Sequence, residues 1–123
     1  MVGCPPYKFS DYHGSRALNN VLLRVESLRT LDRMRHSSYA EEEIAGHQSA
    51  VLRAIQSVRL IPLSERVLAR AAEPLPTILK TADAIHLASA LLWRESERQP
   101  LTFLTHDVQL ARAARAMNFE VLG

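Results

Sequence analysis

The stretch TADAIHLASALLWRE, residues 81–95, constrains the fold more than any other part of this chain. Ala84, Ile85, Leu87, Ala88, Ala90, Leu91, Leu92 and Trp93 put apolar side chains almost all round a helix, not along one stripe. A helix of this kind is stable only when neighbours cover it on more than one side. The pattern therefore predicts a buried helix opening at Lys80 or Thr81 and reaching about Glu97, with the remaining elements packed around it. No apolar run in the chain reaches the ~18 residues that a membrane span needs, so no membrane partner is expected.

The order of elements around that helix sets the fold class. Pro5-Pro6 and Gly14 disfavour regular structure at the start, and residues 1–14 are expected to be irregular. Leu18, Val21, Leu22, Val25 and Leu28 recur at helical spacing and predict a helix over 15–35. Ser38 followed three residues on by Glu41 has the form of a capping box. It predicts a second helix to about Ser57, with Ile44, Val51, Leu52 and Ile55 as its apolar stripe. The run VRLIPL (58–63) reads as a strand, Ser64 as the cap of a short helix over 65–73, and Pro74 and Pro76 as its stop. LTFLT (101–105) is a second strand. Asp107 is placed to cap a helix over 108–117, Asn118 to take a left-handed conformation, and residues 119–122 to form a third strand. Alternation of strands and helices from Val58 onward predicts an α/β domain with a parallel sheet. A chain of 123 residues has room for one such domain, over 15–123, and not for two.

Composition narrows the function classes. The formal net charge is +2, and thirteen of the fifteen basic residues are arginine, with only Lys8 and Lys80 as lysines. Arginine makes bidentate contacts to phosphate, but so mild a basic excess points only weakly to a nucleic-acid partner. Cys4 is the sole cysteine, which excludes an intrachain disulfide and a cysteine-based zinc site. That usage fits a reducing cytoplasm, and Met1 to Ser10 lack the basic-then-apolar pattern of a secretion signal. With glycine only at 3, 14, 46 and 123, there is no glycine-rich phosphate loop. The serines and threonines lack a nucleophile-elbow pattern. The five histidines show no close metal-ligand spacing such as HxxxH.

Carboxylates remain as the candidates for chemistry. Asp83 opens the most apolar helix, Asp107 follows a strand, and Glu26 lies at the border of the first helix's apolar face. Hard cations such as Mg²⁺ and Mn²⁺ take oxygen ligands, usually a few carboxylates and waters. A metal held so activates water and stabilises charge on a phosphate. Each residue also has a plainer account. Asp107 caps its helix, Asp83 complements a helix dipole, and Glu26 pairs with Arg29 one turn on. Asp11 and Asp32 read as surface residues, and Glu41, Glu42 and Glu43 as the favoured acids of a helix's first turn. His86 and His106, beside Asp83 and Asp107, read as structural or as hydrogen-bonding neighbours of a site.

Three segments carry a resemblance. LLRVESLRTLDRMR (22–35) resembles the helical region of PIN domains that holds a site glutamate. TADAIHLASALLWRE (81–95) is similar to the family's most recognisable segment, with its pattern DAIHLA. LTFLTHDVQLARAARAMNFEVLG (101–123) resembles its C-terminal strand, T-x-D acidic turn, helix and last strand. The resemblance covers roughly residues 15–123 and is to PIN domains of the VapC toxin ribonuclease type. It implies a three-layer fold, a parallel sheet flanked by helices. It also implies a carboxylate site binding Mg²⁺ or Mn²⁺ that hydrolyses RNA. Carried over by position, that site comprises Glu26, Asp83 and Asp107, with Thr105 as an accessory hydroxyl. A cognate antitoxin protein and a homodimer are the implied partners. The sequence departs from the family in lacking its first strand, which ends in an aspartate and lies centrally in the sheet. Asp11 does not match that aspartate. The alternative function is therefore a truncated, non-catalytic PIN-like module that binds an antitoxin peptide or RNA. A basic helical regulator using Arg24, Arg29, Arg33 and Arg35 on nucleic acid is the weaker third possibility, since no helix-turn-helix pattern is present.

Overall fold

The structure, a computed structural model, describes residues 17–123. Asp11, Cys4 and the irregular stretch expected over 1–14 lie outside them. The described chain is mixed α/β and divides into two compact units at the Pro62–Leu63 junction.

The first unit holds β1 (Leu18–Asn20), α1 (Leu22–Arg35), α2 (Glu41–Gln56) and β2 (Arg59–Ile61). β1 and β2 pair in parallel, with Leu18 opposite Arg59 and Asn20 opposite Ile61. The ladder is extended by Arg59 N–H donating to the Ala17 carbonyl and Val21 N–H to the Ile61 carbonyl. This corrects the helix expected from residue 15 onward: residues 18–20 are a strand, and the helix begins at Leu22. Leu18 and Val21 do recur at helical spacing, but the two asparagines between them favour local side-chain bonds over a helix interior. The Asn19 side chain accepts the Asn20 N–H at 2.8 Å, and that of Asn20 accepts the Leu22 N–H at 3.1 Å.

The faces of α1 differ from the sequence stripe as well. Leu31 is its buried residue, whereas Val25 is 55% and Leu28 38% exposed. In α2 the ends of the stripe hold, with Ile44 and Ile55 buried, while Leu52 is exposed. The capping box expected at Ser38 does not form. The residue before α2 is Ala40, which offers no side-chain cap; its carbonyl accepts the Ile44 N–H. The helix start is instead favoured by Glu41, Glu42 and Glu43 in its first turn, where backbone N–H groups point at anions.

The second unit, Leu63–Gly123, is built on the helix that the sequence singles out. It comprises α3 (Glu65–Ala72), α4 (Thr81–Glu97), β3 (Thr102–Leu104), α5 (Val108–Ala116) and β4 (Glu120–Leu122). Ser64 caps α3, its hydroxyl accepting the Val67 N–H at 3.2 Å. Along α4, the residues from Ala84 to Trp93 are buried apart from the half-buried His86, and Leu87 and Ala88 are fully enclosed. Leu87, Ala90 and Leu91 join Leu110, Ala113 and Ala114 of α5 and Phe119 in one cluster. Leu75, Leu79, Leu101, Phe103, Met117 and Val121 pack against it. Phe103 meets Phe119 with ring centroids 5.7 Å apart, and the Arg94 guanidinium sits 4.0 Å over the Phe119 ring. Such stacking adds to the area buried by both groups.

β3 and β4 pair in parallel, joined by α5 as a crossover helix. Phe103 faces Val121 across the pair and points into the core. By the alternation of a strand, Leu104 and its partner Leu122 lie on the opposite face, 74% and 55% exposed. Asn118 takes φ 66°, as expected, and ends α5 by donating its N–H to the Arg115 carbonyl. Among the described residues, the parallel sheet takes the form of two separate pairs.

Truncating the enclosed side chain at the centre of α4 is expected to destabilise this unit by about 3 kcal/mol for Leu87→Ala, against about 1 kcal/mol for loss of the α3 cap in Ser64→Ala. Urea unfolding followed by circular dichroism checks the order of the two variants.

Candidate functional site

The acidic turn after β3 is fixed by hydrogen bonds over three successive residues. Thr105 continues the strand ladder, its N–H donating to the Leu122 carbonyl at 3.0 Å. The Thr105 hydroxyl then accepts the Asp107 N–H at 3.1 Å. Asp107 in turn caps α5: its Oδ1 accepts the Leu110 N–H at 2.8 Å. The carboxylate is exposed and stands at the carboxyl end of a parallel strand and at the positive end of a helix. The remaining oxygen, Oδ2, has no hydrogen-bond partner among the described residues. Thr105, expected as an accessory hydroxyl, thus has a definite local task, which is to hold the backbone of the residue carrying the acid.

Asp83 lies in the first turn of α4 and is half-buried. It belongs to the same unit as Asp107, so both carboxylates sit at helix N-termini of the Leu63–Gly123 unit. Glu26 belongs to the other unit, on the exposed part of α1. Its backbone carbonyl accepts the Thr30 hydroxyl at 3.0 Å, and Thr30 accepts from Arg33 in turn. Neither Glu26 nor Asp83 is without a partner. Asp32, expected on the surface, is half-buried and pairs with Arg35 at 3.5 Å.

Two of the three candidate acids, Asp83 and Asp107, thus belong to one unit, and Glu26 to the other. Among the described residues, no group of three or more His, Cys, Asp or Glu side chains comes together in a way that could hold a metal ion. Among the described residues no helix is long and apolar enough to cross a membrane, in line with the sequence expectation.

One polar residue near a strand end escaped the sequence reading. Asn20 closes β1 and is almost wholly buried, with its amide oxygen on the first turn of α1, the helix that carries Glu26. Carboxyl ends of parallel strands are where open α/β sheets place ligands, and there the Asn20 amide oxygen accepts the Leu22 N–H that opens α1. Its signal in the sequence was the pair Asn19-Asn20 ahead of an apolar run, which helical periodicity masked.

No protein-family model, curated protein or solved structure matches the chain.

The cap bond and the charge of Asp107 are separable. Asp107→Ala is expected to lower stability by about 1 kcal/mol, while Asp107→Asn, which caps as well as aspartate, stays within about 0.5 kcal/mol of the parent. Thermal unfolding of the two variants side by side provides the check. Equal losses would show that the charge, not the cap, carries the stabilisation.

Proposed function

We propose that this chain is a metal-dependent endoribonuclease of the VapC toxin type, hydrolysing RNA phosphodiester bonds with Asp83, Asp107 and Glu26 as its acidic residues. The observation that carries the proposal is the placement of Asp107. It sits on a T-x-D turn at the carboxyl end of a parallel strand, where α/β folds bind ligands. The DAIHLA segment provides the second support, since it forms the buried helix α4 with Asp83 in its first turn. Both features are those that the resemblance to PIN domains implies for residues 81–123. Mg²⁺ or Mn²⁺ is the cation implied by that resemblance, and RNA the substrate. A cognate antitoxin and a homodimer are the proposed partners, and the cytoplasm the proposed compartment.

A second proposal has its own supporting observation. Among the described residues, strand pairing takes the form of two short parallel pairs. The strand that does precede α1 ends in the amide of Asn20, not in a carboxylate. On that account the chain is a PIN-like module that binds an antitoxin peptide or RNA without cleaving it.

Cleavage of an RNA substrate by the purified chain, with Mg²⁺ or Mn²⁺ and against EDTA, separates the two. The nuclease proposal expects metal-dependent cutting that falls at least about a hundredfold in Asp83→Asn and in Asp107→Asn, with both variants folded. Absence of cutting by a folded parent chain would sink it and leave the binding module.

A further inference from the structure

The turn that presents Asp107 is held from one more side. Gly123 follows β4 directly and has φ +123°, a conformation that an L side chain rarely adopts. Its Cα lies against the Thr105 peptide. A Cβ built at this position would meet the carbonyl carbon of Thr105 at 2.8 Å, its oxygen closer still, and Nδ1 of His106 at 3.4 Å. The obstructing atoms are backbone of the T-x-D turn, so they cannot swing aside as the end of a flexible side chain would. By contrast, Gly46 on α2 has open space around the same construction, and its lack of a side chain answers no such contact.

We infer that Gly123 is a positioning residue for the acidic turn, fixing Thr105 and through it the carboxylate of Asp107. The inference rests on the proposed role of Asp107 as a site residue. Its physical basis is a chain of short contacts within one unit. Gly123 abuts the Thr105 carbonyl, the Thr105 N–H is tied to Leu122, the Thr105 hydroxyl holds the Asp107 N–H, and Asp107 Oδ1 holds α5. At the conformation that Gly123 holds, a methyl group would push the first member of this chain away from β4. The shift then reaches the acid through bonds that are short and directional. Sequence reading noted Gly123 only as one of four glycines, because nothing local marks which glycine faces a neighbouring backbone.

The test compares Gly123→Ala with Val121→Ala, which removes core packing from the same strand without touching the turn. In Gly123→Ala, the amide NMR signals of Asp107 and Leu110, which report the two bonds of the turn, are expected to move. In Val121→Ala they stay in place. For RNA cleavage, kcat is expected to fall about tenfold in Gly123→Ala with KM unchanged, since sub-ångström misplacement of a reacting group costs rate more than affinity. Unmoved signals in Gly123→Ala, or equal movement in Val121→Ala, would overturn the inference. So would moved signals with an unchanged kcat. If the parent chain cuts no RNA, the nuclease proposal falls by itself, and the two amide signals alone decide whether Gly123 holds the turn.

Discussion

Everything in the Leu63–Gly123 unit depends on covering α4. A helix with apolar side chains on nearly its whole circumference cannot rest against one neighbour and leave its back to water. α3 and α5 pack against it, Phe119 and the inner side of the β3–β4 pair close over the same cluster, and the loop before α4 contributes Leu75 and Leu79. Each large side chain so enclosed contributes roughly 2 kcal/mol relative to exposure. The packing leaves the indole N–H of Trp93 buried without a hydrogen-bond partner among the described residues, and Arg70 of α3 with a buried guanidinium nitrogen whose ion-pair partner is Glu73 at 3.4 Å. An unsatisfied donor such as that indole N–H costs about 1–3 kcal/mol, and the apolar area around it has to outweigh that.

The same demand for cover decides where the acids stand. Because α4 is buried along its length, only its ends reach the surface, and Asp83 occupies the first turn. Because α5 crosses over between two parallel strands, its N-terminus meets the carboxyl end of β3, and Asp107 falls at that junction. Both carboxylates are thereby anions at helix N-termini, a stable arrangement even with no cation present. The helix-capping account of Asp107 and the ligand account are consequently compatible: one oxygen serves α5, and the other has no protein partner among the described residues. Glu26 stands on α1, in the other unit.

Legibility in the sequence followed the range of the forces involved. Ser64, Asp107 and Asn118 were readable because capping and left-handed termini are settled within three or four residues. The strands β2, β3 and β4 were readable from short branched or aromatic runs bounded by turn residues. The start of α1 was not, because helical spacing of Leu18 and Val21 persisted through a strand whose pairing partner, β2, lies some forty residues on. Ser38 failed as a cap since the chain stays irregular for two more residues and opens the helix at a triple glutamate instead. The stripe of α1 misled in a different way: Val25 and Leu28 sit on the helix, but Leu31 is the side chain that the fold buries.

What the sequence determined by itself is the kind of fold and the candidate chemistry. A helix apolar all round, alternation with short strands, and carboxylates at element starts together specify an α/β chain with acids at helix N-termini, through periodicity and capping that act over a few residues. Only the tertiary structure decided which of those acids share a unit, that the strands of the described residues join in two parallel pairs, and that Gly123 lies on the turn beneath Asp107. Strand pairing and backbone-to-backbone contact join residues far apart in the chain. Their geometry is set by packing around α4, for which no local pattern of residue types carries a signal.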